Sequence, residues 1–469
     1  MAKNLKRFRS YGMVMSAFLF LMALLSSRAV LGKQSVKTSP NQKQFLFFVH
    51  AVEARNLPLV KKLVSRGFSV HLFYGPYQAT PLHAAAYFGA VSIAHFLLEQ
   101  GAFIDALDKK GNTPLMLAVQ RKHTRMVRFL LNHGADPNIK TKYGYEITPL
   151  FVAADNGTLK IAKLLIQHKA QVNAESRGLW TPLHAASYHG HLRIARLLIK
   201  NKALVNTVNK KGDTPLDLAV EEKHFTLAKF LLQHGAKANI RDQKGWTSLD
   251  FAAEIGSVKM AALLLKNRAR INAVDDLGNT PLKLAIQNNH DDIAKFLISQ
   301  GANVNSADKK GWTPLMSSAF QGMAGTAKFL LSHKAEVNAK NSSGWTSLMM
   351  AAYKGDIKIA KVLLRDKANI NTVDNFGNSA LDLAIQQGNS RMAGFLVNHH
   401  AQINTKNNLG WTPLMFASNQ GEVGLVQLLL NYGGKINIKN KAGKTALLLA
   451  EEKGYHKVVK ILLSYKRVK

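Results

Sequence analysis

Seventeen histidines and no cysteine bound the side-chain chemistry open to this 469-residue chain. The missing thiol excludes disulfides, thiolate metal sites and cysteine nucleophiles. Histidine can ligate metal or carry protons, but no His-Glu-x-x-His helix, phosphate-cradling glycine loop or nucleophile elbow is present. The histidines recur instead at fixed places. His83 and His184 both follow Thr-Pro-Leu, and His123, His224 and His290 share one spacing from that text. Such recurrence is expected of structural hydrogen bonds, not of one reacting centre. No catalytic residue, metal, cofactor or small-molecule substrate is expected.

The residues left are those that recognise. All five tryptophans, Trp180, Trp246, Trp312, Trp345 and Trp411, immediately precede the Thr of the repeated text. Just upstream stand Lys109, Lys110, Lys210, Lys211, Arg241, Lys244, Lys309 and Lys310, with Lys142, Arg177, Lys406, Lys439, Lys441 and Lys444 in equivalent stretches. Tyr143 and Tyr145 lie in the one lengthened stretch, Lys142 to Ile147. Trp and Arg dominate binding hot spots, and lysines steer acidic partners. These are the partner-binding candidates.

The elements that position them follow from the repeat. The marker begins at Thr80, Thr113, Thr148, Thr181, Thr214, Thr247, Thr280, Thr313, Thr346, Ser379, Thr412 and Thr445, at intervals of 33 residues with one of 35. In the unit opening at Trp180, Thr181 is placed to cap a helix and Pro182 suits its first position. Leu183, Ala185 and Ala186 make a small-residue face, and Ile194, Ala195, Leu197, Leu198 and Ile199 the stripe of a second helix. No single unit can bury that stripe, so stacking must supply the core.

A 33-residue period with Thr-Pro-Leu-His-x-Ala text resembles the ankyrin repeat, most fully from Trp180 to Asn206. The resemblance spans about residues 44–469 and implies an all-α solenoid of helix-turn-helix pairs with β-hairpin tips, an elongated curved array. It also implies protein binding through the tips and inner helices, and no enzyme activity. Residues 44–76 are expected to form an N-terminal capping helix pair, 77–442 the repeats, and 443–469 a C-terminal cap. The pattern departs at the second helix's end, where the family's glycine is Lys169, Lys202, Arg268, Lys334 or Lys367. Trp units carry glycine between their helices, as at Gly190 and Gly256, while neighbouring units place histidine nearby, so the array reads largely as 66-residue pairs.

Residues 1–29 read as a signal peptide: Lys3, Lys6, Arg7 and Arg9, an apolar run from Tyr11 to Leu25, then Ser27 and Ala29 at the −3 and −1 positions. A retained signal anchor, with the repeats translocated, is the alternative. Residues 30–43 read as a polar linker. Export to the periplasm or outside the cell is expected, with membrane attachment only if the segment is retained. The net charge of +35 favours acidic partners, whether nucleic acid, anionic lipid, acidic glycan or an acidic protein, and the last is the partner expected. A polyanion bound by the basic tips, and a host-directed bacterial effector, stay open as alternatives. One further basic column, Arg128, Lys163, Arg196, Lys229, Lys295, Lys328, Lys361 and Lys460, reads as a solvated outer face.

Overall fold

The computed structural model describes residues 40–74, 77–142 and 144–468. The expected signal peptide, the linker up to residue 39 and Tyr143 lie outside the described residues. The described chain is a succession of helix pairs with two isolated β-bridges, Tyr74–Ala79 and Val373–Ser379. None of its helices is long and apolar enough to cross a membrane. It divides into two compact units that meet in sequence between Asp136 and Pro137.

The first unit opens with the helices Pro40–Glu53 and Leu57–Ser65. The first helix starts at Pro40, so the last residues expected as linker are helical. Phe48 is fully buried and stacks on Phe68, whose ring meets Tyr74. Two helix pairs follow, ending at Asn132.

The second unit holds ten pairs, from Pro149–Asp155 to His456–Val468. Most of its helices have only seven to nine residues, lengths marginal in water on their own. Their ends are therefore closed locally. Thr148 Oγ1 accepts the Phe151 N–H at 3.3 Å and Thr313 Oγ1 that of Met316 at 3.3 Å, satisfying donors that the first turn leaves open. First helices pack on the first helices of neighbouring repeats, and second helices on second helices. Between these layers lie Leu183, Ala186, Ile194 and Leu198, all essentially solvent-free.

Asparagine clips join successive loops. Asn206 Oδ1 accepts the Lys237 N–H at 2.8 Å while its amide donates to the Gly235 carbonyl at 2.9 Å. Asn173, Asn239, Asn305, Asn338 and Asn404 do the same one repeat on. In several clips the accepting carbonyl belongs to a basic residue standing in for glycine. Lys169, Lys202, Arg268, Lys334 and Lys367 have φ between 64° and 67°, a left-handed conformation costing about 1–2 kcal/mol for an L-residue. A cation near a helix C-terminus offsets about 0.3–1 kcal/mol of that.

The pairing of glycine with histidine is a contact between repeats. His191, His224 and His290 lie over Gly157, Gly190 and Gly256 of the preceding repeat. Each Nε2–H donates to the carbonyl two residues before that glycine, at 2.8–3.1 Å. At Gly355 the covering residue is Asn389 and at Gly421 it is Tyr455.

Candidate functional site

The tips are built from a tight turn closed on itself and on its neighbour. Asp242 N–H donates to the Trp246 carbonyl at 2.9 Å, and Gly245 N–H to the Asp242 carbonyl at 3.0 Å. The next residue reaches back: Gln243 N–H donates to the Lys211 carbonyl, and Asp276 N–H to that of Lys244, both at 2.9 Å. The same bond runs from Lys309 to Leu277, Asn408 to Phe376 and Lys441 to Leu409. The tips of the second unit thus form a ladder along one edge, and side chains at equivalent positions become neighbours.

Each tryptophan sits where its tip enters the first helix. Trp246 N–H donates to Asp242 Oδ1 at 2.8 Å and its Nε1–H to Asp275 Oδ2 at 3.2 Å. Its ring meets Phe251 edge-on at 5.3 Å, with Lys244 Nζ 5.1 Å above. Trp312 packs on Phe320, Trp345 on Tyr353 and Trp411 on Phe416 at 5.0–5.5 Å. These four rings are half-buried. Trp180 lies against His184 and Tyr188 and is only 8% exposed, which leaves little of it for a partner. At two positions without tryptophan an amide pair forms instead: Asn279 Oδ1 accepts from Gln287 Nε2 and Asn378 Oδ1 from Gln386 Nε2, both at 3.4 Å.

Lys109, Lys210, Lys211, Lys244, Lys309 and Lys310 are exposed on the tips. Lys110 is half-buried over the Tyr77 ring at 5.3 Å, and Arg241 is paired with Asp276 at 2.9 Å. Tyr145 is half-buried, its carbonyl accepting the Arg177 N–H at 2.8 Å.

Sequence reasoning missed the tips' apolar groups. Leu277 and Phe376 are 68% exposed and Leu409 63%, and all three occupy the tip position that is lysine at Lys211, Lys244 and Lys310. Phe376 and Leu409 are consecutive on the ladder. Reading that one position down the repeats would have found them; attention to charge passed over them.

The histidines are occupied structurally. Thr181 N–H donates to His184 Nδ1 at 3.1 Å, leaving His184 Nε2–H to donate to the Asp213 carbonyl at 3.2 Å. Burial depresses the His184 pKa to about 4. The equivalent position holds Asp217 and Asp250, which burial pushes up to about 7, and Asp382, pushed up to about 6. It also holds Lys283, 1% exposed, whose ammonium is ion-paired with Asp308 of the next repeat. Among the described residues no three His, Asp or Glu side chains are grouped to hold a metal ion.

A family model of ankyrin repeats, in three copies, matches residues 48–141, 137–209, 201–275, 263–341, 337–407 and 381–469. The chain belongs to the ankyrin-repeat family. It is 32% identical over 131 residues to an ankyrin repeat and SAM domain-containing protein of Rattus norvegicus, covering 28% of this chain and 15% of that one. It is 35% identical over 127 residues to an ankyrin repeat protein of fowlpox virus, covering 26% and 36%. Similarity to the B-cell lymphoma 3 protein homolog of Mus musculus is 38% over 92 residues, 19% and 20% of the two chains. The chain thus spans well under two thirds of each of these relatives. Ankyrin repeats are in general protein–protein interaction scaffolds without enzyme activity.

Proposed function

We propose that this chain is a non-enzymatic scaffold that binds another protein, acidic in character, through its tips and first helices. The proposal includes export, with the scaffold acting in the periplasm or outside the cell; a retained N-terminal anchor with translocated repeats is its variant. The observation that carries the binding reading is the tip ladder. It presents Leu277, Phe376 and Leu409 to solvent beside exposed lysines and half-buried tryptophans. Apolar anchors ringed by charge are the composition of a protein-binding hot spot.

A polyanion would use the same lysines, and salt separates the two. Phosphate-type binding falls steeply with ionic strength; an apolar anchor does not. The test is retention of native-host proteins on the immobilised full chain, compared with a Phe376→Ala, Leu409→Ala variant. A protein held by the parent at high salt and released by the variant supports the reading. Capture only of polyanions at low salt, indifferent to the variant, overturns it.

A further inference from the structure

We infer that the face opposite the first helices is a docking surface for a lipid bilayer containing anionic lipid. This is a second contact, separate from the protein partner at the tips. The two helix layers of the second unit divide the charge unequally. Its ten second helices, from Leu159–Gln167 to His456–Val468, contain eighteen Lys or Arg and two acidic residues. Its ten first helices contain two Lys and eight Asp or Glu. Eighteen of the chain's 63 Lys and Arg are therefore on one layer, and the layer behind it carries only two.

The basic groups are placed to act together. Lys160, Lys163, Arg193, Arg196, Lys358 and Lys361 are exposed, in pairs three residues apart on three helices. Three-residue spacing puts both members of a pair on one helix face. Lys160, Lys163, Arg193, Lys358 and Lys361 have no acidic partner among the described residues. Lys295, in the same column, is neutralised by Asp291 at 2.5 Å and is not counted as part of the surface. Exposed cations continue at the helix ends with Lys200, Lys266 and Arg365. A nine-residue helix is about 13 Å long and packed helices stand about 8–10 Å apart. The charges consequently recur in two dimensions, as a plane of headgroups would require, and not along a single line.

The chemistry of the layer favours lipid over nucleic acid. Lysine outnumbers arginine thirteen to five in these helices, and lysine is a hydrated point charge without the planar fork suited to base edges. Binding of single strands needs free aromatic platforms. Here Phe230, Phe329 and Phe395 are packed at a tilt against His234, His333 and His399 at 4.1–4.5 Å, and Phe225 alone of the phenylalanines in these helices is an exposed large apolar side chain. What remains is a field of unpaired ammonium groups, matched to headgroup phosphates.

The test is co-sedimentation of the full chain with vesicles of phosphatidylcholine alone and with about one third phosphatidylglycerol, in low and high salt. Binding is expected to the anionic vesicles, in low salt, above whatever the zwitterionic ones retain. Lys160→Gln, Lys163→Gln, Lys358→Gln and Lys361→Gln together are expected to weaken it by about tenfold or more, since each basic residue near such a surface contributes severalfold. Lys210→Gln, Lys211→Gln, Lys309→Gln and Lys310→Gln remove equal charge from the tips and are expected to leave lipid binding intact. Circular dichroism checks that both variants fold. Equal loss in both variants would mean that net charge, not this face, is responsible. No preference for anionic vesicles, or tighter binding to a duplex oligonucleotide than to them, also overturns the proposal. Partner capture through Phe376 and Leu409 is measured separately, so either reading can fail without the other.

Discussion

His224 stands over Gly190: its Nε2–H donates to the Tyr188 carbonyl at 3.0 Å, and a β-carbon on Gly190 would lie 2.5 Å from its Nδ1. Gly190 also has φ +71°. Gly190→Ala is therefore expected to cost about 2–4 kcal/mol, from the left-handed backbone and the overpacked ring. His224→Ala alone should cost about 1 kcal/mol for the lost hydrogen bond. In that background Gly190→Ala should cost only the backbone part. Denaturant titration of the four proteins measures the coupling, and strict additivity would show that ring and glycine do not meet.

Buried carboxyls predict an unusual pH response. Asp217 and Asp250 titrate near pH 7 when folded because burial disfavours their charge, against about 3.9 in an unfolded chain. Between those values the folded state binds more protons, so their contribution to stability is full below about pH 4 and is lost as pH rises to 7. His184, with its folded pKa near 4, works the other way: its contribution is present above about pH 6.5 and lost as pH falls towards 4. Asp217→Asn with Asp250→Asn should accordingly raise the melting temperature more at pH 8 than at pH 5. A rise equal at both values would mean that the acids are ionised throughout.

Buried Lys283 pairs with half-buried Asp308 across two repeats. Removing one charge strands the other at a cost of about 3–5 kcal/mol, whereas an apolar replacement of similar volume is near neutral. Met116, Met316 and Met415 already occupy the equivalent position. Asp308→Asn, which keeps an oxygen for the Trp312 and Lys310 amides, should destabilise the parent strongly and the Lys283→Met variant little. Thermal melts in the two backgrounds decide it.

At the tips, Phe376→Ala and Leu409→Ala should barely change stability, because both side chains are mostly exposed. Each should weaken a protein partner by about 2 kcal/mol or more if it is an anchor, as should Trp246→Ala with Trp312→Ala. Lys309→Gln with Lys310→Gln should instead lower the association rate and flatten its salt dependence. Surface plasmon resonance with the recovered partner separates the two patterns.

Export has its own check. Deleting residues 1–29 should leave the protein in the cytoplasm, and Ala29→Glu should yield a longer, membrane-held form. Fractionation showing both variants in the compartment of the intact chain would remove the signal reading.

Helix starts were legible because a cap is local: Thr181 bonds a group three residues away. The loop asparagines leave a mark in the sequence for a related reason, since one residue type recurs wherever a loop must be satisfied. The partners of Gly190 and Lys283 were not legible. Their contacts cross 34 and 25 residues, and only the stacking register brings them together. Nothing in the sequence marks Asp217 and Asp250 as buried; Ser248 of the next repeat closes over Asp217. The exposed Phe376 and Leu409 share one repeat position with Lys211, Lys244 and Lys310, and only comparison of that position across the units sets them apart, because a recognition position is free to differ from unit to unit.

The meeting of glycine with the side chain one repeat on has a bearing on how such an array can change length. Gly256 is followed by His290, but Asn289 of that next repeat has Met323 at the corresponding place one repeat further on. A recombination that drops one repeat from this stretch would seat a glycine under a side chain shaped for a bulkier neighbour, or a lysine under a histidine. Dropping the two units that open at Thr214 and Thr247 together would instead seat Gly190 under His290 and restore the match. Growth and loss by pairs is then the path of least damage. Trp312 and Trp345 mark one odd step that was absorbed: there Gly322 faces Asp356 and Gly355 faces Asn389, with no histidine at either joint.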